Sequence, residues 1–150
     1  MDKKEIRESL RMRLLEGEAK RVAAGVLIQC TETKKVFLVL RSSEGRNGNT
    51  WNLVSGGIDE GESVLEGLKR EVNEELSINP DIIDYKFIKK IDIPEENMEF
   101  HYYEGFTNSE FIPTLDHENT DYGWYTPEDL PSPLYPKIKP KLEKIWQNQI

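Results

Sequence analysis

The chain has 150 residues, 37% of them hydrophobic and 32% charged, which suits one domain with a single core and excludes a disordered chain. Twenty basic against 28 acidic side chains leave a net charge of −8, which argues against a broad electrostatic grip on nucleic acid. No apolar run approaches a membrane span, "MDKKEIRESL" lacks a signal-peptide core, and the one cysteine, Cys30, cannot form an internal disulfide; a cytoplasmic protein with no membrane partner is expected.

Ile6, Leu10 and Leu14 recur at every fourth residue and predict a short amphipathic helix. Residues 1–16 are read as a helical extension and 17–150 as a single domain. The extension packs on the body or on a second copy, so both monomer and homodimer are open. "KRVAAGVLIQC" and "KKVFLVLR" read as strands joined by the polar turn "TETK", followed by the Gly/Asn/Ser-rich loop "SSEGRNGNT". Val64, Leu65, Leu68, Val72 and Leu76 then take helical spacing, with Ser63 as N-cap, Glu66 three residues on, and an end near Ser77 before Asn79–Pro80. "IIDYKFIKKIDI" and "MEFHYYEGF" read as strands around "PEEN", "YGWYT" as a further strand, and "KPKLEKIWQNQ" as a closing helix with Pro140 in its first turn. This order points to a mixed α/β (α+β) sheet covered by helices.

The segment "REVNEELSI" crowds Glu71, Glu74 and Glu75 onto the central helix. With Glu71 at zero on a helical wheel, Glu75 lies at about 40° and Glu74 at about 300°, while Val64, Leu68 and Val72 fall at about 20°, 60° and 100°. Glu71 and Glu75 thus interleave with the apolar face, where a solvated stripe would oppose it. Carboxylates half-buried beside valines repel more strongly than exposed ones, and a hard divalent cation reverses the sign of that interaction. The preceding "SGGIDEGES" adds Gly56, Gly57 and Gly61, which let the backbone bend and approach a ligand closely, and Glu62 just before the capping serine.

Gly56, five residues, Glu62, seven residues, then Arg70-Glu71-Val72-Asn73-Glu74-Glu75-Leu76-Ser77-Ile78 resembles the signature box of Nudix hydrolases, departing at Ser77 where the family has glycine. "AAGVLI", "VFLVLR" and "WNLVSGG" are similar to the strands that lead into that box. The resemblance implies an α/β/α sandwich with the box as a loop–helix–loop. It implies hydrolysis of a nucleoside diphosphate linked to another group by water, with Mg²⁺, or Mn²⁺ in its place, as cofactor. A nucleotide-derived small molecule would then be the partner, and nucleic acid is disfavoured by the charge. By the same resemblance Glu71, Glu74 and Glu75 would hold metal, Glu62 would stand near it, Arg70 would orient a glutamate, and the Ser55 carbonyl would offer a further ligand. Glu118, six residues before Trp124, resembles the family's general base and late metal ligand; Glu71 or Glu74 is the alternative base. Arg41 and Arg46 are candidates for phosphate oxygens, and Trp51, Tyr122 and Phe100 for stacking on a base, against the competing reading of aromatic core packing. His101 and His117 are too isolated to argue a histidine metal site. Pro94, sixteen residues beyond Ile78, resembles the ADP-ribose hydrolases and favours ADP-ribose or a related sugar nucleotide. Dinucleoside polyphosphates, nucleoside triphosphates, an RNA 5′ end and a non-catalytic nucleotide-binding module are the alternatives. "KIKPKLEK" is a small basic cluster, read as a solvated helix end.

Overall fold

A computed structural model of the protein describes residues 2–8, 20–45 and 47–148. One mixed sheet contains seven strands: β1 (Arg21–Cys30), β2 (Val36–Arg41), β3 (Trp51–Asn52), β4 (Val54–Gly57), β5 (Asp84–Ile93), β6 (Met98–Thr107) and β7 (Asn119–Tyr125). The helices are α1 (residues 3–8), α2 (Val64–Leu76) and α3 (Lys139–Gln147). No helix among the described residues is long and apolar enough to cross a membrane.

Strand β1 is the spine. It runs parallel to β6 along its whole length, and on its other flank it changes partner. Ala23–Val26 pair antiparallel with β4, whereas Ile28 and Gln29 pair with β2. Strand β4 therefore occupies the place beside β1 that β2 leaves, and β2 goes on to pair with β3 and with β7 at the sheet margin. Strand β5 closes the opposite edge against β6.

Alternation sorts the side chains into two layers. Ala24, Val26, Ile28, Phe37, Val39 and Val54 meet Leu68, Val72 and Leu76 of α2. Leu27, Val36, Leu38, Trp51, Leu53 and Tyr102 meet Ile138 and the α3 residues Leu142 and Ile145. One helix on each face makes the α/β/α sandwich that the box resemblance implied. Leu68, Val72 and Leu76 are fully buried, each worth about 1.5–3 kcal/mol of transfer free energy, so packing of this stripe sets the height of α2 over the sheet.

The ends of α2 follow local chemistry. The Ser63 side chain accepts from the Glu66 N–H at 3.1 Å, as the sequence predicts. At the other end Ser77 takes a left-handed conformation, φ 55°, and its N–H donates to Asn73 O. That is the position where glycine carries no steric penalty. The strand expected from Ile82 begins at Asp84, because Asn79 accepts from the Asp81 N–H at 3.0 Å and caps a 3-10 turn over Pro80–Ile82. The strand expected over "YGWYT" starts earlier, at Asn119. Leu10, Leu14 and Arg46 lie outside the described residues.

Candidate active site

Helix α2 buries two acids with its apolar stripe. Glu71 is 1% exposed and Glu75 is fully buried, which matches the wheel. Glu74 points outward, 34% exposed. Burying a carboxylate costs several kcal/mol unless hydrogen bonds or counter-charges offset it, so each one here requires its neighbours.

Glu71 Oε1 accepts from Arg70 Nη1 and from Arg7 Nη2, both at 2.8 Å. Glu75 Oε1 accepts from Asn119 Nδ2 at 2.8 Å, with Arg41 Nη1 at 3.7 Å. The second oxygens, Glu71 Oε2 and Glu75 Oε2, are buried and accept no hydrogen bond. Glu118 joins them: oxygens of Glu71, Glu75 and Glu118 all lie within 4.8 Å of one another. Burial first, then the charge of Glu118, pushes the Glu75 carboxyl well above the usual carboxylate range despite the Asn119 hydrogen bond. Glu118 is raised by burial and by the charges of Glu71 and Asp116.

Glu118 arrives from far along the chain by a defined route. The Thr114 and Asp116 N–H groups donate to the carbonyls of Leu76 and Glu75, at 2.9 and 3.2 Å, satisfying the open C-terminal end of α2. The Glu118 N–H then donates to Asp116 Oδ1, and its carbonyl accepts from the Ser42 N–H, both at 2.9 Å. The connection is thereby stitched between α2 and the end of β2. Asn119 opens β7 opposite Arg41, so Asn119 and Arg41 approach Glu75 together.

Arg70 ties the box loop to the helix. Its guanidinium donates to Glu62 Oε1 at 2.7 Å, Glu71 Oε1 at 2.8 Å, Glu74 Oε2 at 3.2 Å and the Gly57 carbonyl at 2.9 Å. Burial opposes its charge, yet the hydrogen bonds to Glu62 and Glu71 overcome this and hold the guanidinium above the ordinary arginine value. In return Arg70 holds the Glu62 carboxyl below its usual range. Gly56 packs so closely on Glu71 that a Cβ there would stand 2.5 Å from Oε2. The glycine is a steric requirement of the buried acid.

The expected residues divide into groups. Glu71, Glu75 and Glu118 converge. Glu62, Arg70 and Glu74 form an adjoining ion-pair layer, with Glu74 bound to Arg70 and to Lys3 and not among the three convergent carboxylates. Ser55 and Arg41 line the same cavity, of about 1200 Å³, as Glu71 and Glu118. Of the aromatics expected at the substrate, Trp51 is 7% exposed and edge-on to Tyr125, and the partly buried Tyr122 stacks on Phe37. The aromatic rings on the cavity wall are those of Phe100 and Tyr135, because Phe100 shares the face of β6 that points toward α3. Asn119, beside Glu118, carries no motif or spacing in the sequence that marks it as the partner of Glu75. Lys3 and Arg7 were missed because an amphipathic spacing shows a face and not its partner.

The arrangement has the donor chemistry of a hard-cation site: oxygen ligands only, converging from a helix and a loop, with two buried oxygens that accept no hydrogen bond. A model of the NUDIX domain matches residues 19–147 of the chain. A curated protein named Nudix hydrolase 7, from Arabidopsis thaliana, is 41% identical over 64 residues, covering 42% of this chain and 23% of its own length. An RNA pyrophosphohydrolase of Helicobacter pylori (strain G27) is 40% identical over 83 residues, covering 52% of this chain and 53% of its own. The chain thus spans about half or less of the length of these two relatives. Among solved structures, a Nudix hydrolase from M. smegmatis superposes with a TM-score of 0.71 at 14% identity, covering 87% of this chain and 86% of that one; this likeness concerns the fold.

Proposed function

Because the chain belongs to the NUDIX domain family, we propose that it hydrolyses a pyrophosphate linkage in a nucleoside diphosphate joined to a second group, at a divalent-cation site formed by Glu71, Glu75 and Glu118. The observation that carries this reading is the convergence of Glu71, Glu75 and Glu118, each with a carboxylate oxygen within 4.8 Å of the others, where Glu71 Oε2 and Glu75 Oε2 are buried without a hydrogen-bond partner. An uncompensated lone pair in that setting is costly, and a cation offsets the cost. Mg²⁺ or Mn²⁺ held there would supply charge neutralisation for the diphosphate and would make the attacking water more acidic.

The remaining work falls to the chain itself. Asn119 fixes Glu75 through Oε1 and leaves its other oxygen without a hydrogen bond. Arg70 fixes Glu71 and binds the box loop through Glu62 and the Gly57 carbonyl. Arg41 lines the cavity and, with Nη1 3.7 Å from Glu75 Oε1, sets a positive charge in its wall that suits a phosphate. Glu118 is the partly open member of the trio, with 24% of its side chain exposed, and in this reading it is the base that takes a proton from attacking water. Glu74 acts through Arg70 in this reading. The cytoplasmic setting rests on the single buried Cys30.

On the substrate, two readings have separate support. Pro94 favours ADP-ribose or a related sugar nucleotide, and the H. pylori relative, named an RNA pyrophosphohydrolase, favours RNA. A panel of ADP-ribose, dinucleoside polyphosphates, nucleoside triphosphates and 5′-triphosphorylated RNA, assayed with Mg²⁺ and resolved by chromatography, identifies both bond and class. Glu75→Gln lowers turnover of the preferred member by at least about 10²-fold while circular dichroism stays unchanged. Tight nucleotide binding with no product from any member makes the protein a binding module.

A further inference from the structure

Two of the cations on the convergent acids come from one short element, α1. Arg7 Nη2 donates to Glu71 Oε1 at 2.8 Å, and Arg7 Nη1 lies 3.8 Å from Glu118 Oε1. Lys3 pairs with Glu74 and lies 3.8 Å from Glu71 Oε1. Lys3 and Arg7 stand four residues apart on a helix, so they share a face and present their charges to the site together. Among the described residues, every ion pair of these two side chains ends on Glu71, Glu74 or Glu118. Apolar attachment is slight, since Ile6 is half-buried and, among the described residues, joins neither core layer. Arg70 differs: it also holds Glu62 and the Gly57 carbonyl, and so belongs to the frame of the site. Helix α1 is attached through the same carboxylates that a divalent cation needs.

We propose that α1 is an electrostatic latch on the active site, in which Lys3 and Arg7 compete with the divalent cation for the acids and let go when it binds. The inference rests on the cation site of the hydrolase reading and adds a control to it. Glu71 is 1% exposed, so its charge is costly without a partner, and α1 supplies one. Once a divalent ion shares that carboxylate, the guanidinium and the ammonium meet like charge at short range. Both side chains are partly exposed already, Lys3 by 33% and Arg7 by 40%, so their way into water is short. A helix of six residues is marginal by itself, even with the reciprocal Asp2–Glu5 cap, so a released α1 frays. Release also withdraws Arg7 from the wall of the cavity.

Hydrogen exchange of the full chain, read by mass spectrometry on peptides covering residues 2–8, tests the latch without substrate. Saturating Mg²⁺ is expected to speed exchange in α1 by about fivefold over KCl of equal ionic strength. Unchanged or slower exchange in α1 while Mg²⁺ binds overturns the proposal. So does equal acceleration by KCl, because screening alone would then open α1. The reciprocal measurement combines Lys3→Gln with Arg7→Gln. Calorimetric titration should show Mn²⁺ binding roughly tenfold more tightly than to the wild type, with α1 exchange fast whether or not Mg²⁺ is present. Equal or weaker Mn²⁺ binding by a variant whose circular dichroism matches the wild type overturns the latch. Should the variant fail to fold, the wild-type exchange measurement decides by itself. Absence of Mn²⁺ binding to the wild type and the variant alike refutes the cation site, and the latch with it. Binding with α1 still docked refutes the latch alone.

Discussion

Gly56→Ala is the smallest change expected to disable the site, because the site has no space for one methyl group. A Cβ at Gly56 would stand 2.5 Å from Glu71 Oε2, whereas ordinary contact begins near 3.4 Å. The Glu71 carboxylate must therefore withdraw by about 1 Å, and its Oε1 is already held by Arg7 and Arg70 at 2.8 Å. A misplacement of about 1 Å at a reacting centre costs on the order of 10²-fold in rate, and overpacking costs about 1–3 kcal/mol in stability. At the neighbouring position, a Cβ on Gly57 meets nothing within 4 Å, so Gly57→Ala is the matched control, with a stability change of no more than about 0.5 kcal/mol. The assays are kcat/KM with Mg²⁺ on the preferred substrate and urea unfolding of both variants. Wild-type turnover in Gly56→Ala refutes the steric account of the box glycine. Equal damage in Gly57→Ala refutes it too, since the effect would then belong to the loop backbone and not to Glu71.

Two further outcomes are expected. Ser77→Gly relieves a left-handed residue, worth about 1–2 kcal/mol, against about 0.4–1 kcal/mol of added freedom in the unfolded chain. A net gain of about 0.5–1 kcal/mol should appear as a higher urea midpoint; a lower midpoint would show that serine's own contacts matter more than its φ. Arg7→Ala removes a partly exposed cation bound to Glu71 Oε1 and 3.8 Å from Glu118. With its 40% exposure discounting the pair to about 1 kcal/mol, Mn²⁺ should bind roughly fivefold more tightly by electron paramagnetic resonance titration, and weaker binding would make Arg7 a helper of the metal and not its rival.

Much of the site was legible because helical periodicity is strict. Once α2 is placed by Leu68, Val72 and Leu76, the angular positions of Glu71 and Glu75 follow, and their burial requires only that the stripe faces the sheet. The glycine–glutamate spacing of the box added the chemistry. What escaped the sequence depends on long-range placement. Strand β3 is two residues long, too short for its alternation to show which way Trp51 points. The register shift between Leu40 and Arg41, where β2 meets β7, decides that Asn119 approaches Glu75, and no local pattern encodes a bulge of that kind. The contact of Arg7 with Glu71 joins residues 64 apart in sequence, so propensity and spacing are silent about it.

The buried acids also bear on how the protein changes over generations. Most substitutions destabilise, and chains drift just above the stability their function requires. Glu71 and Glu75 each hold an oxygen that is sealed from water and left without a donor, a liability that glutamine or leucine would lessen. A lineage released from the need for a cation would find these replacements among its easiest gains in stability. The carboxylates therefore behave as a fragile record of use, expected to fade early in copies that have turned to binding alone. Inspecting positions 71, 75 and 118 across such copies would sort working enzymes from retired ones before any assay is run.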